Sequence, residues 1–144
     1  MRVRLALVLV LISTTVAAAQ SAEEQSIRAR LRAYAQASEK GWAERSKFYT
    51  DDADFWASTS KQLAVGKAAM EKELNQPTPP GLTFALDISH VTLLTPEIAT
   101  ADAAYRVTIG DQKIAGYVFY VLVKRQADWY IRSIRVAQIT PSPQ

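Results

Sequence analysis

The chain has no cysteine among its 144 residues and a single histidine. The first absence excludes disulfide staples, thiolate zinc sites, thiol redox chemistry and lipid attachment through a cysteine. The second leaves a metal site dependent on carboxylates, an uncommon donor set for a transition metal, so no metal and no other cofactor is expected. Glycine is scarce, at five residues. None of them completes a phosphate-cradling loop, since Gly66-Lys67 lacks the upstream glycine spacing and follows no long buried strand. A membrane-spanning run is missing as well. Leu5 to Ile12 is unbroken and apolar but ends at Ser13-Thr14-Thr15, short of the ~20 residues a spanning helix needs.

What stands at the front has the layout of an export signal. Arg2 and Arg4 make a short positive start, the apolar run follows, and Ala17-Ala18-Ala19 offers the small residues of a cleavage site. Residues 1–19 are therefore expected to be a signal peptide cut after Ala19, leaving a periplasmic or secreted protein with no stable membrane anchor. The formal net charge of +3 falls with it: without Arg2 and Arg4, 15 basic side chains face 14 acidic ones, a net of +1. The basic residues are interspersed with acids, which removes the support for a nucleic-acid partner. Arg28, Arg30 and Arg32 alternate along a helix and read as a solvated face. Residues 20–144 suffice for one domain with its own core.

Along that domain, Ser21 and Glu24 have the spacing of a capping box and predict a helix start. Ile27, Leu31 and Tyr34 then form one amphipathic stripe that ends near Gly41. A second helix over 42–49 brings Trp42, Arg45 and Tyr49 to one side, and Asp51-Asp52 breaks it. A strand over 53–58 puts Asp54 and Trp56 on one face and Phe55 and Ala57 on the other. A third helix over 66–74 buries Met70 and Leu74, and the proline-containing segment 75–81 is a loop. Four strands follow. The first, 83–94, sets Phe84, Leu86, Ile88 and His90 on one face. In the next, 99–106 with its continuation to Thr108, Ala101, Ala103, Tyr105 and Val107 oppose Asp102 and Arg106. Gly110-Asp111 turns the chain into 116–125, which is apolar on both faces and so should be central and covered on both sides. The last strand, 129–139, sets Trp129, Ile131, Ser133 and Arg135 on one face, before a frayed tail over 140–144. Helices followed by long strands make this an α+β chain, a curved sheet wrapped around helices that encloses a pocket.

Several of these pieces together resemble the nuclear transport factor 2-like superfamily. They are the helical opening, Trp42 with Phe48-Tyr49 and Asp51-Asp52-Ala53, Gly66-Lys67-Ala68-Ala69-Met70, the extended strand pair, and the closing Asp128-Trp129-Tyr130-Ile131-Arg132. Within it the chain is most similar to exported ketosteroid isomerase-like and polyketide-cyclase-like domains. The likeness spans residues 21–139. It implies a cone-shaped, cystatin-like roll, with about three N-terminal helices packed on a strongly curved, mainly antiparallel sheet, a cavity between them, and homodimerisation through the sheet's outer face. It also implies an isomerase scheme of an aspartate base with tyrosine and acid donors, for which Asp54 and Tyr49, Tyr105 or Tyr117 are the residues on offer.

Each candidate has two readings. His90 is a general base, or a hydrogen-bonded structural histidine, which is preferred because spacing fixes no second acid or base beside it. Asp54 is a cavity base raised by desolvation or a residue at a turn end. Arg135 binds an anion in a fork or makes an outward salt bridge, the latter preferred. Trp42, Tyr49, Trp56, Tyr105, Tyr117 and Trp129, with Phe119, line a cavity for a flat or apolar ligand or pack as ordinary core. Three functions follow: an exported domain binding a small apolar or aromatic molecule, a cofactor-free acid/base enzyme using Asp54 or His90 with a tyrosine donor, and an assembly module whose pocket its own side chains fill. Binding is preferred, since spacing forces no acid/base pair together.

Overall fold

The computed structural model describes residues 3–139, with side chains for Gln20 and for 22–139. The side chains of the expected signal peptide, residues 1–19, and the expected frayed tail, 140–144, lie outside the described residues. Helix α1 (Val3–Ser38) runs straight through the start predicted at Ser21. The upstream sequence is rich in alanine and leucine, so helical hydrogen bonding continues there without a cap. Glu24 is spent otherwise, accepting from Arg28 Nε at 3.0 Å. Among the described residues no helix is long and apolar enough to cross a membrane.

The stripe of α1 behaves as its spacing requires: Ile27, Leu31 and Tyr34 are all buried against a six-stranded sheet. A short α2 (Trp42–Arg45) and a single 3-10 turn (Ser46–Phe48) lead into β1 (Tyr49–Ala57). After β2 (Leu63–Val65) and α3 (Lys67–Leu74) come β3 (Thr83–Thr95), β4 (Ile98–Ile109), β5 (Gln112–Arg125) and β6 (Asp128–Ile139). The spatial order is β2-β1-β6-β5-β4-β3. All neighbours are antiparallel except β1 and β6, which run parallel. The result is the expected α+β arrangement, three helices on a curved, unclosed sheet. The face toward α1 is called inner below, and the opposite face outer.

Three expectations change here. The second helix is shorter than predicted, because Tyr49 is already in β1, buried and paired with Ile131. Asp51 and Asp52 lie inside that strand rather than ending a helix. They fall where the β1–β6 register shifts between Tyr49 and Asp54, so their carboxylates stay exposed and meet Lys67 Nζ at 3.0 Å and Arg132 Nε at 3.2 Å. The three-residue β2 has too little sequence to show a period, and pairing to β1 alone defines it.

The arginines of α1 are not a solvated face. Arg28 donates to the Ile88 carbonyl at 2.6 Å, and Arg30 donates to the Trp129 carbonyl at 2.9 Å while lying 4.2 Å above the Phe48 ring. Only Arg32 of the three is exposed. The long stems let both guanidinium groups reach backbone oxygens of the sheet from the flanks of a buried stripe. Below them, Tyr34 is the hub of an aromatic cluster, edge-on to Phe48, Tyr49, Phe84 and Tyr120 at 5.7–6.4 Å between centroids. Its hydroxyl shares a 2.9 Å hydrogen bond with that of Tyr49.

Bulges decide which side chains face inward. In β3 the register shifts between Ile88 and His90, so Val91 and Leu93 continue the inner row of Phe84, Leu86 and Ile88, and His90 is turned out to solvent. In β6 the shift opposite Val121 and Leu122 leaves Trp129 and Ile131 buried but turns Ser133 and Arg135 to the outer face. One extra residue reverses every later side chain. The strand predicted to be covered on both sides, β5, is covered on one. Val118, Tyr120 and Leu122 are buried inward, while Tyr117 and Phe119 are 63% and 36% exposed outward.

Candidate functional site

Two concavities flank the middle of the sheet, one on each face. The inner one is a cavity of about 160 Å³ between the sheet, α2 and the end of α3. Its walls are mostly apolar, with Phe55, Phe84, Val118 and Ile134 among them, and its polar groups come from Tyr34, Tyr105, Tyr120 and Arg45. Burial pushes the Tyr105 hydroxyl pKa up and the Tyr120 hydroxyl well up, so both remain neutral donors at any ordinary pH. Tyr105 reaches the cavity because Gly116 lies opposite it on β5. Arg45 donates from one terminal nitrogen to the Leu74 carbonyl at 2.7 Å and lies 5.8 Å from the Trp42 ring centroid. Its Nε is buried without a hydrogen-bond partner.

The outer concavity is a more open groove of about 410 Å³ whose sides include Trp56, Asp87, Asp102, Tyr117, Phe119 and Arg135. Beside it, Asp54 accepts from Ser133 Oγ at 2.7 Å, from Arg135 at 2.5 Å and from Arg132 at 3.2 Å. Partial burial alone would raise this carboxyl. The hydrogen bonds from Arg135 and Ser133, with the charge of Arg135 and a further hydrogen bond from Arg132, outweigh burial and hold it below the usual aspartate range. A carboxylate so neutralised is a weak base, the reverse of the desolvated base considered for it.

The residues singled out from the sequence therefore separate. Tyr105 alone among them borders the inner cavity. Trp42 and Tyr49 pack on each other at 5.7 Å, and Tyr49 spends its hydroxyl on Tyr34. Trp129 is buried with its indole N–H donated to Glu23 at 3.0 Å. Trp56, Tyr117 and Arg135, with Asp54, belong to the outer face, and His90 stands exposed on its bulge, joined to neither concavity. Arg135 makes the salt bridge that the sequence favoured, with Asp54. Arg45 and Phe84 were not among the sequence candidates. The placement of Arg45 beside Trp42 and Tyr49 was its visible signal. Among the described residues no cluster of three or more metal-ligating side chains occurs.

No protein-family profile matches the chain. No curated protein matches it either. Solved structures do. A nuclear transport factor 2-like protein with a cystatin-like fold from Novosphingobium aromaticivorans superposes with a TM-score of 0.72 at 19% identity, over 90% of this chain and 91% of that one. A ketosteroid isomerase-like protein from Erwinia carotovora atroseptica gives 0.68 at 21% identity, over 81% and 96%. A domain of unknown function with a cystatin-like fold from Nostoc punctiforme gives 0.68 at 18%, over 83% and 78%. At such identities the likeness extends to the fold and not to an activity. The chain thus has the cystatin-like fold of nuclear transport factor 2-like and ketosteroid isomerase-like proteins.

Proposed function

We propose that this chain is a small-molecule-binding protein that holds a small, largely apolar ligand of about benzene size in the inner cavity without turning it over. One observation carries this reading. Among the described residues, the cavity is bordered by phenols and one guanidinium but by no aspartate, glutamate or histidine. Acid/base turnover needs a proton acceptor and a donor converging on one point, and here only the donor is on hand. An apolar cavity of about 150 Å³ is large enough for benzene. Export belongs to the same reading, supported by Arg2, Arg4, the run from Leu5 to Ile12 and Ala17-Ala18-Ala19.

The test is an NMR titration with toluene. Saturable shifts of cavity resonances are expected in the unsubstituted chain, and Leu74→Trp, which fills the cavity's rim, should abolish them while leaving the circular dichroism spectrum unchanged. No saturable shift up to the solubility limit would overturn the reading.

A second reading concerns the outer face, where Tyr117, Phe119 and Trp56 form an apolar patch on strands that end in solvent. Its occupant is proposed to be a second copy of the chain. Asp102 and Arg106 lie on this face of β4, two residues to either side of Ala104, so a two-fold axis at Ala104 sets each acid opposite its partner's base. Sedimentation velocity should find a dimer that Phe119→Arg splits. A monomer for the unsubstituted chain at every accessible concentration would contradict this.

A further inference from the structure

We infer that the ligand of the inner cavity is a small carboxylate, about the size of benzoate, whose anionic group is taken by Arg45 while its apolar part lies against Phe55, Phe84 and Tyr105. This rests on the binding reading above and names the class of molecule for that site.

The argument begins with what Arg45 has and lacks. A guanidinium carries five N–H donors in a fixed plane and stays charged at every accessible pH. Arg45 spends one terminal nitrogen on the Leu74 carbonyl at 2.7 Å, and its Nε is buried with no acceptor. Arg28, Arg125, Arg132 and Arg135 each meet a carboxylate of the chain, whereas among the described residues Arg45 forms no ion pair. The phenols nearby do not relieve it, since none of them lies within hydrogen-bond distance of Nε. A tie to α3 needs only the terminal nitrogen. The idle Nε and the uncompensated charge beside an apolar cavity are what a carboxylate satisfies, as a planar acceptor matched to the planar fork. A neutral hydrocarbon would fill the space and leave the buried Nε without an acceptor. The 160 Å³ available limits the ligand to one ring or a short branched chain.

Isothermal titration of the purified full chain with benzoate, benzamide and toluene tests this, with Arg45→Met as the variant. Benzoate is expected to bind at least tenfold tighter than its neutral isostere benzamide. Arg45→Met should lose at least tenfold for benzoate and keep its toluene affinity. Where that variant does not fold, Arg45→Lys, which keeps the charge and loses the fork, should still weaken benzoate and spare toluene. Toluene binding with no preference for benzoate over benzamide, or benzoate affinity untouched by the substitutions, overturns the carboxylate inference and leaves the binding reading standing. Failure of all three probes to bind removes both.

Discussion

Alanine in place of Trp129 is expected to lower the free energy of unfolding by about 3–5 kcal/mol, a large share of the 5–15 kcal/mol typical of a domain. The ring is 1% exposed, so truncation removes its burial and opens a void beneath α1. It also removes the indole N–H that donates to Glu23 at 3.0 Å, on the carboxylate that also receives Lys124. The hydrogen bonds from Lys124 and Trp129 hold the Glu23 carboxyl below its usual range. With its folded pKa depressed, Glu23 contributes stability that is present above its unfolded pKa and lost as pH falls through the folded one. The deficit of the variant should therefore be largest at neutral pH and narrow in acid. Trp129→Phe keeps most of the volume and should cost about 1.5–3 kcal/mol, the worth of one hydrogen bond to a charged group. Urea unfolding followed by far-UV circular dichroism reads all of this. A Trp129→Ala midpoint equal to that of the unsubstituted chain would mean that the helix does not sit on the sheet as described.

Gly116→Ala should be nearly as damaging, although the same substitution in an ordinary strand would stabilise by reducing the freedom of the unfolded chain. A Cβ at this position would be driven into the Ala137 carbonyl oxygen and would lie 2.7 Å from the Tyr105 ring and 2.9 Å from Gln138 Cα. Two of the three obstacles are backbone of β6, which cannot yield without breaking the Gly116–Gln138 pairing. A loss of about 3 kcal/mol is expected, the upper part of the range for overpacking. Tyr105 is displaced with it, so toluene binding should fall in whatever fraction still folds. A variant with unchanged melting temperature and unchanged toluene shifts would contradict the seating of Tyr105 on Gly116.

The parts of the fold legible in the sequence are those with an uninterrupted period. The stripe of Ile27, Leu31 and Tyr34 fixed the buried side of α1, and the alternation of Ala101, Ala103 and Tyr105 fixed that of β4. Alternation failed where one residue is inserted. Nothing local in Ser89-His90 or Arg132-Ser133 announces a bulge, because the insertion is dictated by curvature and by the partner strand. His90 and the pair Ser133 and Arg135 consequently occupy the face opposite the one that strict alternation predicts. In β5 the period is present but uninformative, since Tyr117 and Phe119 are as apolar as Val118 and Tyr120. For the site, the spacing of Trp42 and Arg45 showed that they share a side. That the Arg45 Nε lacks an acceptor is a tertiary fact, set by where α3 ends and by strands that turn no carboxylate toward the inner cavity.

The most direct measurement is the location of bound toluene by intermolecular nuclear Overhauser effects on a sample with labelled methyl groups. Leu74 and Ile134 border only the inner of the two concavities, Ala104 and Ala137 only the outer groove and its margin. Cross-peaks from toluene to the methyls of Leu74 and Ile134, with none to Ala104 or Ala137, are the expected result. Cross-peaks confined to Ala104 and Ala137, or none at a saturating concentration, would contradict a ligand held between the helices and the sheet.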